Sequence, residues 1–298
     1  MTRTILYSFF TALLIYACAG GRNAVRPFTI EGFDDAANRT LADFFARTAQ
    51  HPGRKIAVFD GDGTTLGQVP HYLADECLYL HAQTHPERKP EVIARMTPLS
   101  NVSLPYVQDR VHYFSGMTLQ ELRDLGDECF RKYYATKIYP PMRELIRRLH
   151  DHGFEVWIVT ASPEALYQKF LSRELSVPIT RVLGVKSVIQ GGVITDRIVE
   201  PVPQDEGKLQ AIETFVQDRP LLVGGNSRGD KEMIEYSADL RLIVNPDEFV
   251  APGQEMSMAD YAKRHGFLIV RIRDVAEPGF PAVSSTVYHV RTNAPHEP

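Results

Sequence analysis

The sequence predicts an α/β fold: a doubly wound, Rossmann-like parallel sheet with a helical cap domain inserted after the first strand. Three observations carry this expectation. Short apolar runs with β-branched members (Lys55 to Phe59, Phe154 to Val159, Leu221 to Val223, Leu240 to Val244, Phe267 to Ile272) alternate with segments of helical period. Strand-like runs disappear between Gly67 and Tyr139, where the pattern turns helical. The first run, within Ile56 to Leu66 (IAVFDGDGTTL), ends in two aspartates one residue apart, in a segment rich in glycine and hydroxyls that must leave the sheet in a tight turn.

Taken in order, residues 1–18 read as a signal peptide of lipoprotein type. Arg3 precedes a largely apolar stretch from Ile5 to Ala17, too short to span a bilayer comfortably, and Ile15, Tyr16, Ala17, Cys18 resemble the box in which bacterial lipoproteins lipidate the cysteine. The expected location is the periplasmic side of a bacterial envelope, with membrane association through the anchor. Residues 19–38 read as a tether. Thr40 opens a helix with Leu41, Phe44, Phe45 and Ala49 at helical spacing, stopped by Pro52 and Gly53. The core domain is expected over 39–66 and 140–274, with the cap over 67–139.

Within the cap, Tyr72 to Ala82 is one helix, and Thr118 with Glu121 forms a capping box for another. Pro140 and Pro141 then start a helix whose Met142, Leu145, Ile146 and Leu149 form one apolar stripe. Ser162 is expected to cap the next helix. Val185 to Gln190 and Val193 to Ile198 flank Gly191 and Gly192 as a hairpin. Helices are expected from Asp205 to Val216, Arg228 to Tyr236 and Ser257 to His265, and residues 275–298 as a loosely ordered tail.

With 298 residues, 44% of them hydrophobic, the chain can bury a large core. A net charge of -4 without a basic stripe gives no footprint for a nucleic-acid partner. The ten histidines show no zinc-binding spacing. Apart from Cys18, only Cys77 and Cys129 remain; an oxidising compartment allows a disulfide between them, and two free buried thiols are the alternative.

Four groups stand at strand ends or a helix start: Asp60 and Asp62; Thr160, Ala161 and Ser162; Lys208 after Gly207; and Gly225 to Asp230. In open α/β sheets ligands bind at the carboxyl ends of the strands. Two neighbouring carboxylates repel unless a cation or shared proton compensates them. Phosphoryl transfer needs such a set: a nucleophile, a proton donor for the leaving oxygen, and positive charge on the phosphate oxygens. The cap holds Tyr72, Tyr79, Tyr106, Tyr113, Phe114, Tyr133 and Tyr134, whose spacing suits core packing better than an aromatic cage for a quaternary ammonium.

From Lys55 to Pro246 the chain resembles phosphatases of the haloacid dehalogenase superfamily, in the phosphoserine-phosphatase-like branch with a helical cap between the first two motifs. The resemblance implies a magnesium-dependent phosphomonoester hydrolase for a small phosphorylated metabolite, phosphoserine-like or phosphocholine-like. It makes Asp60 the phosphorylated nucleophile, Asp62 the general acid and base, and Thr160, Ala161 and Lys208 the phosphate-binding set. Magnesium would be held by Asp60, the Asp62 carbonyl and the fourth motif, where Asn226 stands at a position commonly aspartate and either Asn226 or Asp230 is the direct ligand. Asp62 separates phosphatase from dehalogenase, because an alkoxide needs a proton and a halide does not. A phosphotransferase using the same intermediate, and a non-catalytic envelope lipoprotein, are the other functions compatible with these residues.

Overall fold

The computed structural model describes residues 28–297, so the expected signal peptide, Cys18 and the first part of the expected tether, residues 19–27, lie outside the described residues. Among the described residues no helix is long and apolar enough to cross a membrane.

Six strands form one parallel sheet: β1 (Ile56–Phe59), β2 (Glu155–Pro163), β3 (Val182–Val185), β6 (Leu222–Gly225), β7 (Leu240–Val244) and β8 (Leu268–Val270). Their spatial order is β3-β2-β1-β6-β7-β8. Phe59 of β1 pairs with Ile158 of β2 on one side and Gly224 of β6 on the other. The chain first winds outward from β1 through β2 to β3, then returns to its other side with β6. That reversal makes the carboxyl end of β1 and β6 the crevice of the sheet. A separate hairpin, β4 (Ser187–Gln190) with β5 (Val193–Ile198), turns through Gly191 and Gly192, both at positive φ.

β1 is buried on both faces, and alternation sends its residues to two layers. Ala57 and Phe59 join a cluster with Leu41, Phe44 and Phe45 of α1 (Asp35–Thr48), Leu145 and Leu149 of α6 (Pro140–Asp151), and Phe170 of α7 (Glu164–Leu175). Ile56 and Val58 pack on the other side with Ala211 of α8 (Glu206–Ala211), Met233 and Ile234 of α9 (Lys231–Glu235), and Met258 and Ala262 of α10 (Met258–Arg264). Between β1 and α6 come α2 (Leu73–Thr84), α3 (Pro90–Met96), α4 (Leu104–Phe114) and α5 (Leu119–Cys129), the last continuing as a π turn over Phe130–Tyr134. The Thr118 and Glu121 capping box is present at the start of α5. Cys77 of α2 and Cys129 of α5 form a disulfide. These helices are not a detached lid: Gly126 of α5 lies so close to α7 that a Cβ there would fall 1.8 Å from the Leu166 carbonyl oxygen.

Several expectations are corrected. The described part of the expected tether, Phe28 to Asn38, is ordered structure: Asn38 is buried, accepts from Ile30 N at 2.7 Å and donates to Phe33 O at 3.0 Å. This knot lets Asp34 cap the helix by accepting from Ala37 N, so α1 begins at Asp35 and Thr40 lies inside it. Val185 belongs to β3, where it pairs with Pro163, and the hairpin starts only at Ser187. The helix after Asp205 changes to a π turn at Ile212–Val216, and the one after Ser227 begins as a 3-10 turn over Arg228–Asp230.

The expected loose tail is also packed structure. Buried Glu76 of α2 accepts from Val283 N at 2.7 Å, Ser284 N at 3.0 Å and Ser284 Oγ at 2.6 Å, which fixes α11 (Val283–Thr286). Further on, Asn293 donates to Pro70 O and Gln68 O. Asp274 accepts from Gln68 N and Val69 N, pairs with Lys137 and forms a bridge to His296. A buried carboxylate needs such donors: for Glu76 the tail supplies them, and for Asp274 they come from Gln68, Val69 and Lys137.

Candidate active site

The chain leaves β1 through a turn in which the Gly61 carbonyl accepts from Thr64 N, Thr65 N and Leu66 N. Gly63 is required in this turn: it adopts φ +82°, and a Cβ there would lie 2.1 Å from the Asn226 amide nitrogen. Asp60 and Asp62 are thereby fixed at the crevice, only 4% and 8% exposed.

The two carboxylates have separate surroundings. Asp60 Oδ1 accepts from Lys208 Nζ at 2.7 Å, and the same ammonium donates to Asp230 Oδ1 at 2.5 Å. Asp230 is fully buried, and its Oδ2 accepts from Asn226 N, Ser227 N and Ser227 Oγ. Burial, then the charge of Asp230, raises the Asp60 carboxyl above its ordinary value, with Lys208 opposing. Burial pulls Lys208 down, but the charges of Asp230 and Asp60 outweigh it and hold the ammonium protonated. Asp62 instead accepts from Ser162 Oγ at 2.9 Å and faces Tyr167 Oη at 2.8 Å from both of its oxygens. Burial pushes it up to about 6, with the Tyr167 and Ser162 hydrogen bonds opposing.

Ser162 is therefore not the helix cap expected of it. β2 runs on past a bulge to Pro163, α7 begins only at Glu164, and the Ser162 hydroxyl points inward to Asp62. Thr160 is buried at the same bulge and accepts from Ser162 N at 3.2 Å.

A cavity of about 740 Å³ opens over these groups. Asp60, Asp62, Thr160, Ala161, Lys208 and Asn226 line its floor. Asp230 does not line it; fully buried, it holds Lys208 and the Asn226 loop in place. Tyr72, Asn101 and Arg110 contribute from the helices after β1, and His289, Arg291 and Asn293 from the tail. Arg110 is held by Asp75 at 2.7 Å and by Asn101 O at 3.2 Å, above the rings of Tyr72 and Tyr106. Tyr167, Arg110 and the tail residues carry no sequence motif. Their placement depends on contacts between distant segments.

Asp60 and Asp62 on the floor, with the buried Asp230 behind it, set three carboxylates against the one Lys208 ammonium, an imbalance that a cation would relieve. One terminal atom of the Asn226 amide lies 3.2 Å from Asp60 Oδ2, 3.3 Å from the Asp62 carbonyl oxygen and 3.1 Å from Asp230 Oδ2. With nitrogen in that place the amide donates to these oxygens; with oxygen there, the oxygens converge without an amide proton between them, which a cation or a shared proton would relieve. Separations of about 3 Å match the octahedron edge of a cation bound by oxygens at about 2.1 Å. Among the described residues no group of three or more His, Cys, Asp or Glu side chains is arranged for a metal. One carboxylate, one carbonyl and one amide oxygen still fit magnesium, which keeps several waters.

Comparison with known proteins agrees with this geometry. A model of the haloacid dehalogenase-like hydrolases matches residues 57–235, more than half of the chain. The chain belongs to this family. The haloacid dehalogenase-like segment runs from β1 to α9 and encloses Asp60, Asp62, Thr160, Ala161, Lys208, Asn226 and Asp230, whereas α1, β7, β8 and the tail lie outside it. A phosphoserine phosphatase of Mycobacterium tuberculosis, SerB1, is 30% identical over 103 residues, 35% of this chain and 32% of that protein. A putative hydrolase of Mycobacterium leprae is 28% identical over 103 residues, covering 35% of this chain and 33% of that protein. The chain thus spans about a third of the length of these curated relatives. Among solved structures, a conserved protein of unknown function from Anaerococcus prevotii superposes with a TM-score of 0.61 at 14% identity, covering 81% of this chain and 95% of that one. A protein of unknown function from Bordetella pertussis gives 0.56 at 16% identity, covering 73% and 98%. These two share the fold.

Proposed function

We propose that the chain is a magnesium-dependent phosphomonoester hydrolase that works through a phosphorylated Asp60. The observation that carries this reading is the division of labour between two carboxylates on one loop: Asp60 is paired with a fixed ammonium, and Asp62 is held apart from it by two hydroxyls. Asp60 attacks phosphorus while Asp62 gives its proton to the leaving alcohol oxygen; Asp62 then takes a proton from the water that releases phosphate. Lys208 and Thr160, with the backbone at Ala161, bind the phosphate oxygens. Asp60, the Asp62 carbonyl and Asn226 would hold the metal, with Asp230 organising their loop. The chemistry supplied by bound magnesium is neutralisation of the surplus carboxylate and phosphate charge.

The substrate class we favour is a small phosphorylated metabolite with a second acidic group, closer to phosphoserine than to phosphocholine. Arg110 faces the cavity with Nη1 unspent among the described residues. Of the seven cap aromatics only Tyr72 reaches the cavity, and a guanidinium already lies over it, which disfavours a second cation. The relative named phosphoserine phosphatase supports the same class. We further propose a location on the periplasmic side of the envelope with a lipid anchor at Cys18; the Cys77–Cys129 disulfide supports an oxidising compartment.

The test is hydrolysis of 4-nitrophenyl phosphate by the purified protein with and without magnesium. Wild type should turn over only with the metal. Asp60→Asn should keep the wild-type circular dichroism and lose turnover, whereas retained turnover in that variant would overturn the assignment.

A further inference from the structure

We propose that Tyr167, together with Ser162, is a positioning residue for Asp62, joining the acid of the first loop to the first turn of α2. The proposal rests on the hydrolase reading above, in which Asp62 is the proton donor.

Tyr167 is fully buried on α7 and does not line the cavity, so it acts only through its neighbours. Its hydroxyl lies 2.8 Å from both Asp62 oxygens and accepts from Ala74 N at 3.1 Å. The accepting lone pair and the single proton are thus both engaged. Ala74 belongs to the first turn of α2, where backbone N–H groups have no partner within the helix, and Tyr72 at the cap position gives no side-chain hydrogen bond. The phenol replaces that missing cap, and the positive end of the helix strengthens its donation to a carboxylate. Ser162 Oγ fixes Asp62 Oδ2 from the other strand end.

The ring is held as firmly as the hydroxyl. Tyr167 packs on Phe170, which stacks on Phe130 with centroids 4.6 Å apart, and Gly126 brings α5 against the α7 backbone beside Leu166. In the first transfer the Asp60 oxygen–phosphorus bond forms, the phosphorus–alcohol oxygen bond breaks, and the Asp62 proton passes to that alcohol oxygen. A misaimed Asp62 slows only the last of these events. The loss therefore scales with how much the leaving oxygen needs the proton: little for 4-nitrophenolate, much for a basic phenolate.

The experiment compares kcat/KM of wild type, Tyr167→Phe and Ser162→Ala over a series of para-substituted phenyl phosphates with magnesium saturating. This parameter reports the first transfer, so the hydrolysis step common to all substrates does not enter. Tyr167→Phe should lower kcat/KM by about ten- to a hundred-fold on 4-methoxyphenyl phosphate and by less than about threefold on 4-nitrophenyl phosphate. Ser162→Ala should show the same gradient, and it carries the test if the tyrosine variant melts below the assay temperature. In an Asp62→Asn background neither change should cost anything further. Equal losses across the series, or none, would overturn the positioning role while leaving the hydrolase reading intact. Absence of magnesium-dependent turnover in wild type would instead remove that reading itself.

Discussion

Asn226→Asp probes the metal loop most directly. The amide lies 3.2 Å from Asp60 Oδ2, so a carboxylate in its place faces Asp60 at that separation with no proton between them. At an effective dielectric of about 20 the repulsion is roughly 5 kcal/mol. The folded protein can escape by protonating the new group, which costs about 4 kcal/mol at pH 7 for an aspartate of ordinary pKa. That escape sets the ceiling, and a loss of about 3 to 4 kcal/mol is expected in EDTA at pH 7. The sign follows from linkage: the new carboxyl has a folded pKa above its unfolded one, so the penalty is complete above the folded pKa and vanishes below the unfolded one. At pH 5 it should shrink to about 1.5 kcal/mol. Magnesium should reverse the loss, because a charged ligand replaces a neutral one. Urea unfolding in EDTA at pH 7 and pH 5, repeated with magnesium, measures all of this. A variant as stable as wild type in EDTA, with the same magnesium midpoint, would refute the placement of Asn226 among the metal's ligands.

Two further outcomes follow from the same structure. Asp62 is raised to about 6 by burial, so kcat/KM on a basic phenyl phosphate should fall as pH rises through about 6, while a kcat limited by the hydrolysis step should rise over the same range. Flat profiles in both would remove Asp62 from proton transfer. The Cys77–Cys129 bridge closes a separation of 52 residues, and the chain-entropy model assigns about 4 kcal/mol to a loop of that length. Cys77→Ser combined with Cys129→Ser should lose up to that amount in urea unfolding, and dithiothreitol should lower the melting temperature of wild type but not of the double variant.

Much of the active site was legible because its motifs are local. Asp60, Thr160 and Asn226 follow apolar runs that can only be strands, and a parallel sheet brings the carboxyl ends of its strands to one edge. Lys208 stands out at a helix start but takes its phosphate-binding role from the resemblance, since a lysine there is usually a solvated charge; its burial between Asp60 and Asp230 is what distinguishes it. Ser162 was misread for a local reason. A serine before proline at a helix start looks like a cap, and nothing nearby in sequence says that β2 bulges and turns the hydroxyl toward a carboxylate 100 positions earlier.

The N- and C-terminal misreadings share one physical cause. The stretch from Arg22 to Asn38 mixes glycine, proline and polar residues and the segment after Asp274 is rich in proline and polar residues, compositions that signal loose chain when no partner is in view. In their described residues the order comes from buried polar groups: Asn38 gathers the backbone of Ile30 and Phe33, and Glu76, with no other donors among the described residues, gathers Val283 and Ser284. A glutamate inside α2 reads as a solvated face until its burial is known. Once it is buried, its lone pairs must be satisfied, and the tail becomes a necessary part of the helix that carries Ala74 toward Tyr167 and Asp62. The wall of the cavity formed by His289, Arg291 and Asn293 is thus tied, through one carboxylate, to the helix beside the acid.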